Sequence, residues 1–150
     1  MLSARLIHLI EAHQDEIATR ILHEIRREPE LRHFHKLDDL ELRERGRRIL
    51  GHLGEWLAEA RQEELAREYE ILGKTRHEEA IPLHESVRAL CIIKNKMIDF
   101  VKEQGLKMDS VELYAEEELE DRVGHFFDEL VIHLVRGYEG AWRRATHAAA

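Results

Sequence analysis

The sequence predicts an all-α domain, a single bundle of about five helices, and three observations carry that reading. Apolar residues recur at helical spacing along most of the chain. Alternating strand patterns and Gly/Asn hairpin signals are absent, and only Pro29 and Pro82 interrupt the helical pattern. No repeat or flexible linker divides the 150 residues, a length usual for one domain, so residues 1–150 are read as one unit.

A first helix is predicted from about Ser3 to Arg27, on the stripe Leu6, Ile10, Ile17, Ile21 and Ile25. Pro29 stops it, because proline supplies no amide and clashes with the preceding turn. Glu30 to Leu37 reads as a connector or one short turn. Asp38 or Asp39 caps a second helix that carries Leu42, Ile49, Leu53, Trp56, Leu57 and Ala60. Glu41 stands at the capping-box spacing from Asp38. Gly46, Gly51 and Gly54 lie inside that helix, and close approach by a neighbour is one compensation for their cost.

The third helix covers about Glu63 to His77, with Leu65, Tyr69 and Leu72 on one side. Pro82 suits the first turn of a fourth helix that reaches about Gln104, with Gly105 as its stop. Apolar residues from Leu83 to Val101 cover more than one face of this helix, so it is placed at the centre. Asp109 opens a long fifth helix with the cleanest stripe in the chain, from Leu119 to Trp142. A kink near Gly124 or Gly137 and a frayed tail from Thr146 are expected.

Composition then excludes several function classes. The formal net charge is −8, and the arginine-rich run from Arg43 to Arg48 is interleaved with Glu44, so nucleic-acid binding is not expected. The lone Cys91 forms no internal disulfide, which suits a cytoplasmic setting. No segment resembles a signal peptide or a membrane span, so no membrane insertion is expected.

No catalytic constellation is legible, and the domain is read as non-enzymatic. Cys91 sits in an apolar run, and the serines occupy helix starts rather than a nucleophile elbow. Eleven scattered histidines would carry the formal charge from −8 to +3 if all were protonated; scattered exposure is the plain reading. One Glu-x-x-His pair, Glu30 and His33, is half of what a di-iron bundle needs, so no metal site is assigned. Haem is the alternative cofactor. Phe34 precedes His84 by 50 residues, similar to the globin spacing, which makes His84 its candidate ligand. Tyr138 and Trp142, near Gly137 and Gly140, suit close helix contact within the fold or with a second subunit.

Two runs then carry a family resemblance, Tyr69-Glu70-Ile71-Leu72-Gly73-Lys74-Thr75-Arg76 and Ile81-Pro82-Leu83-His84-Glu85-Ser86-Val87-Arg88-Ala89-Leu90. With Glu11 to Ile17, Trp56-Leu57 and Gly137-Tyr138, they resemble the N-terminal domain of the RsbRD-type RsbT co-antagonist family. The resemblance implies a helical sensory or regulatory module in bacterial stress signalling, related to RsbR domains that look like globins without haem. Relatives are commonly joined to an output domain, which carries the phosphorylated residues of that pathway. The chain ends at Ala150 without one, as an excised fragment or as a domain acting alone.

In this segment Gly73 is expected to bend the chain before Arg76, while Pro82 starts the central helix. Tyr69, Arg76, His84 and Arg88 are the ligand or regulatory candidates; Arg76 and Arg88 suit acidic side chains or an anionic ligand. The expected function is signal reception by a dimer that binds a small molecule or a partner protein, in a pocket between the central and terminal helices. The alternative is a haem-binding, globin-like gas sensor.

Overall fold

The computed structural model describes residues 3–58, 61–104 and 110–149, and nearly all of them are helical. Among the described residues seven α-helices stand where about five were expected: α1 Ala4–Ala12, α2 Gln14–Arg27, α3 Asp39–Leu50, α4 Leu53–Leu57, α5 Gln62–Glu78, α6 Leu83–Gln104 and α7 Ser110–Ala149. Two 3-10 turns, Pro29–Leu31 and Phe34–Lys36, form the connector after Pro29. The predicted Gly105 stop and Asp109 cap lie outside the described residues.

The count rises because two predicted helices break. His13 leaves helical geometry at φ −111° and ψ 25° and ends α1. Its Nδ1–H donates to the Leu9 carbonyl at 2.9 Å, and its ring lies 5.1 Å from that of Phe100. The apolar stripe passes through this joint unbroken, which is why periodicity alone misses it. The second break follows Gly51, where a Cβ would stand 2.6 Å from Gln14 Oε1. Asp38 is the cap of α3, accepting from the Leu40 amide at 3.3 Å. Glu41 does not close a capping box; it reaches Arg76 instead.

α6 is the central helix, as its apolar girth predicted, in contact with α1, α2, α5 and α7. Met97 and Phe100 on α6 are fully buried, together with Trp56, Leu119, Leu130 and Leu134. Arg26 ties the connector to α2, donating from Nη1 to the Phe34 carbonyl and from Nε to Asp39, each at 2.9 Å. α7 runs unbroken through Gly124 and Gly137 to Ala149, so the helix continues beyond Thr146.

Gly73 is not a bend. It lies within α5 at the crossing with α7, where a Cβ would stand 2.2 Å from the Leu134 carbonyl oxygen. Gly137 answers from the other side, with its virtual Cβ 2.1 Å from the Glu70 carbonyl oxygen. The two helices therefore meet backbone to backbone.

The chain turns at Ala80, which holds φ 59°. Ala80 N–H donates to the His77 carbonyl at 3.0 Å and Ile81 N–H to the Arg76 carbonyl at 2.9 Å, the paired bonds of a Schellman stop. Glycine is the residue that position favours, since a Cβ in left-handed geometry costs about 1–2 kcal/mol. Ala80→Gly is accordingly expected to stabilise the fold by about 1 kcal/mol, net of glycine's greater freedom in the unfolded chain. A urea midpoint that falls instead would refute this account of the turn.

Candidate functional site

Polar groups that a helical bundle ordinarily leaves outside are concentrated where α5 turns into α6. Of the five buried polar residues among the described ones, Arg76, Glu85 and Ser86 lie here. Arg76, 3% exposed, bonds Glu41 and Glu79 at 2.8 Å each, and its guanidinium lies 5.6 Å from the centre of the Phe34 ring. Glu85, 1% exposed, accepts from the amides of His33 at 2.9 Å and Phe34 at 3.4 Å and from His33 Nδ1. The connector is thus pinned onto α6 by a carboxylate that water barely reaches.

Ser86 and Tyr138 complete the corner. The Tyr138 hydroxyl donates to the Ile81 carbonyl at 2.9 Å, so its single proton is committed, and the Ser86 hydroxyl donates to Tyr138 at 2.6 Å. This chain of bonds fastens α7 to the turn and to the first turn of α6.

A cavity of about 40 Å³ opens beside the corner. Tyr69, Arg76, Ser86 and Arg45 supply its polar wall, while Ala89, Leu90 and Leu134 belong to its apolar one. Burial pushes the Tyr69 phenol well above its ordinary range, although Arg45, Arg48 and Arg76 pull the other way. Burial also raises Tyr138, against a smaller opposing effect of the Ser86 hydrogen bond.

These two phenols set an alkaline limit. A phenol whose pKa is raised in the folded state keeps its proton where the unfolded chain loses it. Their contribution is intact below about pH 10 and is lost as pH rises beyond it, by about 1.4 kcal/mol per pH unit for each group. Urea midpoints between pH 9 and 11 should fall less steeply in Tyr138→Phe than in the wild type; equal slopes would contradict the assignment.

The structure brings together two of the four expected ligand or regulatory residues, Tyr69 and Arg76. His84 and Arg88 lie exposed on the outer face of α6, with Arg88 3.6 Å from Glu30 across well-solvated space. The haem alternative does not fit these residues. His84 is absent from the cavity wall, and a space of this size holds a water or two rather than a macrocycle. The Glu30–His33 pair is split between Arg88 and Glu85, and no cluster of three or more metal-ligating side chains forms among the described residues. Tyr138 is turned inward at 5% exposure, whereas Trp142 is 62% exposed.

Sequence reasoning passed over Glu85 and Ser86, and a signal for them existed. Glu85 stands in line with Ala89, Ile92 and Ile93, so a carboxylate occupies the apolar stripe of the central helix. A charge in that register requires buried partners.

The architecture described so far is joined by one decisive match. The family model for the RsbT co-antagonist protein rsbRD N-terminal domain covers residues 15–150. The chain belongs to this family. No curated protein and no solved structure matches it significantly. The match makes the chain a regulatory, signalling domain of a family that is not a catalytic one. Within this RsbRD N-terminal domain, the runs carrying Tyr69 to Arg76 and Ile81 to Leu90 form the two arms of the buried polar corner. The recognisable words of the sequence are therefore largely architectural. They encode the glycine contact, the turn and the Glu85 anchor.

Proposed function

We propose that this RsbRD N-terminal domain is a non-catalytic, cytoplasmic receiver in stress signalling. It pairs with a second copy through the end of α7 and relays the arrival of a small molecule or partner protein along that helix. One observation carries the reading. Upstream, α7 is fastened to α5 by Gly137 and to the corner by Tyr138, yet every residue from Trp142 to Ala148 is exposed.

Beside that projecting end lies an open groove of about 550 Å³ whose lining includes Ile81, Pro82, Leu83 and Trp142. Exposed Trp142 is the kind of side chain that anchors protein contacts. A second copy offering the same tryptophan and groove would bury both in a self-complementary contact. The net charge of −8 speaks against nucleic acid as the partner, and no described helix is long and apolar enough to cross a membrane.

Sedimentation velocity tests the pairing. The wild type should run as a dimer at about 100 μM, while Trp142→Glu, with unchanged helical circular dichroism, should run as a monomer. A wild-type monomer at that concentration would overturn the proposal.

A further inference from the structure

Side chains join α3 to α5 like the rungs of a ladder, and one rung lacks an acceptor. At one end Glu41 accepts from Arg76 at 2.8 Å; at the other, Arg48 Nε donates to Glu68 at 3.0 Å. Arg45 and Tyr69 stand between these pairs. Arg45 has no ion pair or hydrogen bond among the described residues, and the Tyr69 hydroxyl has no hydrogen bond there either. Arg45 is exposed, so water serves it. Tyr69 is only 6% exposed, and a phenol at that depth ordinarily finds a partner for its proton.

The acids that could answer are taken. Glu41 is held by Arg76, Glu68 by Arg48 and Glu44 by Arg47. Among charged groups Arg45 acts on the Tyr69 phenol most strongly, ahead of Glu68, Arg48 and Arg76. Three of these four charges are positive, a setting that favours an anion.

Behind this rung lies the cavity of about 40 Å³. Leu42, Leu72, Leu90 and Ile93 line it with carbon, and the exposed Arg45 marks its mouth. A dry cavity of roughly 150 Å³ takes benzene, so by proportion this one takes about two carbons. Arg45 also borders a surface groove of about 390 Å³, which gives a solute its approach.

We propose that this slot is the ligand site of the receiver and takes a short aliphatic carboxylate. Arg45 and the Tyr69 hydroxyl hold its oxygens, and a tail the size of an ethyl group fills the cavity. The ligand thus supplies the acceptor that the rung lacks. This rests on the receiver reading above and names its input. Ser86 lines the same cavity and bonds Tyr138, so the tail abuts the fastening of α7.

Propionate is the probe, with propionamide as its neutral counterpart and hexanoate as a chain too long for the slot. An NMR titration at constant ionic strength should show saturable shifts at Leu42 and Leu90, with Kd below about 10 mM, within reach of so small a ligand. Propionamide and hexanoate should bind at least about tenfold more weakly. Arg45→Gln alters an exposed side chain and Tyr69→Phe removes only a hydroxyl, so both keep the fold. Each should weaken propionate by about tenfold, the worth of a charge-assisted hydrogen bond. In buffer without propionate, Tyr69→Phe should not lower the urea midpoint, because the lost proton had no protein partner. A clear fall in that midpoint, absence of saturation, equal binding of the three probes, or unweakened binding to Arg45→Gln would each overturn the site. Sedimentation at saturating propionate separates this site from the receiver reading. Binding without a change in association leaves the site standing and removes the relay. Association that shifts equally in the wild type and in Arg45→Gln places the input elsewhere and overturns the site.

Discussion

Gly73→Ala is expected to destabilise the domain by at least about 3 kcal/mol, and Gly137→Ala by a similar amount. Each added methyl would sit little more than 2 Å from a carbonyl oxygen of the facing helix, 2.2 Å for Gly73 and 2.1 Å for Gly137. No rotamer relieves that overlap, because the obstacle is backbone. The helices must move apart, and the buried contacts of Leu72 and Leu134 loosen with them. Propensity alone argues the other way, since alanine in a helix interior is favoured over glycine by about 1 kcal/mol. Gly124 separates the two effects: nothing lies within 4 Å of its virtual Cβ, so Gly124→Ala should stabilise by up to that amount. The double variant Gly73→Ala/Gly137→Ala should cost less than the sum of its parts, because one separation makes room for both methyls. Urea denaturation of the four proteins checks the set. Strict additivity, or a Gly73→Ala that matches Gly124→Ala, would remove the backbone contact as a feature of the fold.

Periodicity made the helices legible, and it was silent about what joins them. The stripe of α7 and the apolar girth of α6 depend on which residues face inward, and both survived into the structure with the expected roles. The joint at His13 depends on one side chain bonding its own backbone while stacking on Phe100, a residue 87 positions away. Nothing in a window of local sequence records that partner. Gly73 misled for a related reason. A glycine before a turn suggests flexibility, yet its use here is the absence of a side chain, which has meaning only once Gly137 is known to face it. Of the candidate site residues, Tyr69 and Arg76 met because, seven residues apart, they share one buried face of α5, whereas His84 and Arg88 fall on the outer side of α6.

Glu85→Ala is the second substitution with a large expected effect, a loss of about 3 kcal/mol. The carboxylate is 1% exposed and satisfies three donors, the amides of His33 and Phe34 and the His33 ring. Removing it leaves two shielded amides without an acceptor, each worth about 1–3 kcal/mol. Arg76 makes the instructive comparison, because it is nearly as buried yet should matter less. Its partners Glu41 and Glu79 are 36% and 35% exposed, so when Arg76→Met removes the cation both acids still reach water. That change should cost about 1 kcal/mol, much of it the lost contact with Phe34. Glu85→Gln keeps an oxygen for the amides and should fall between the two. Hydrogen exchange gives the local readout. In Glu85→Ala the amides of the connector, residues 29–37, should exchange faster than in Arg76→Met at matched global stability. The reverse ranking would mean that the guanidinium, not the carboxylate, holds the connector against α6, and that the buried acid in the stripe of the central helix has some other purpose.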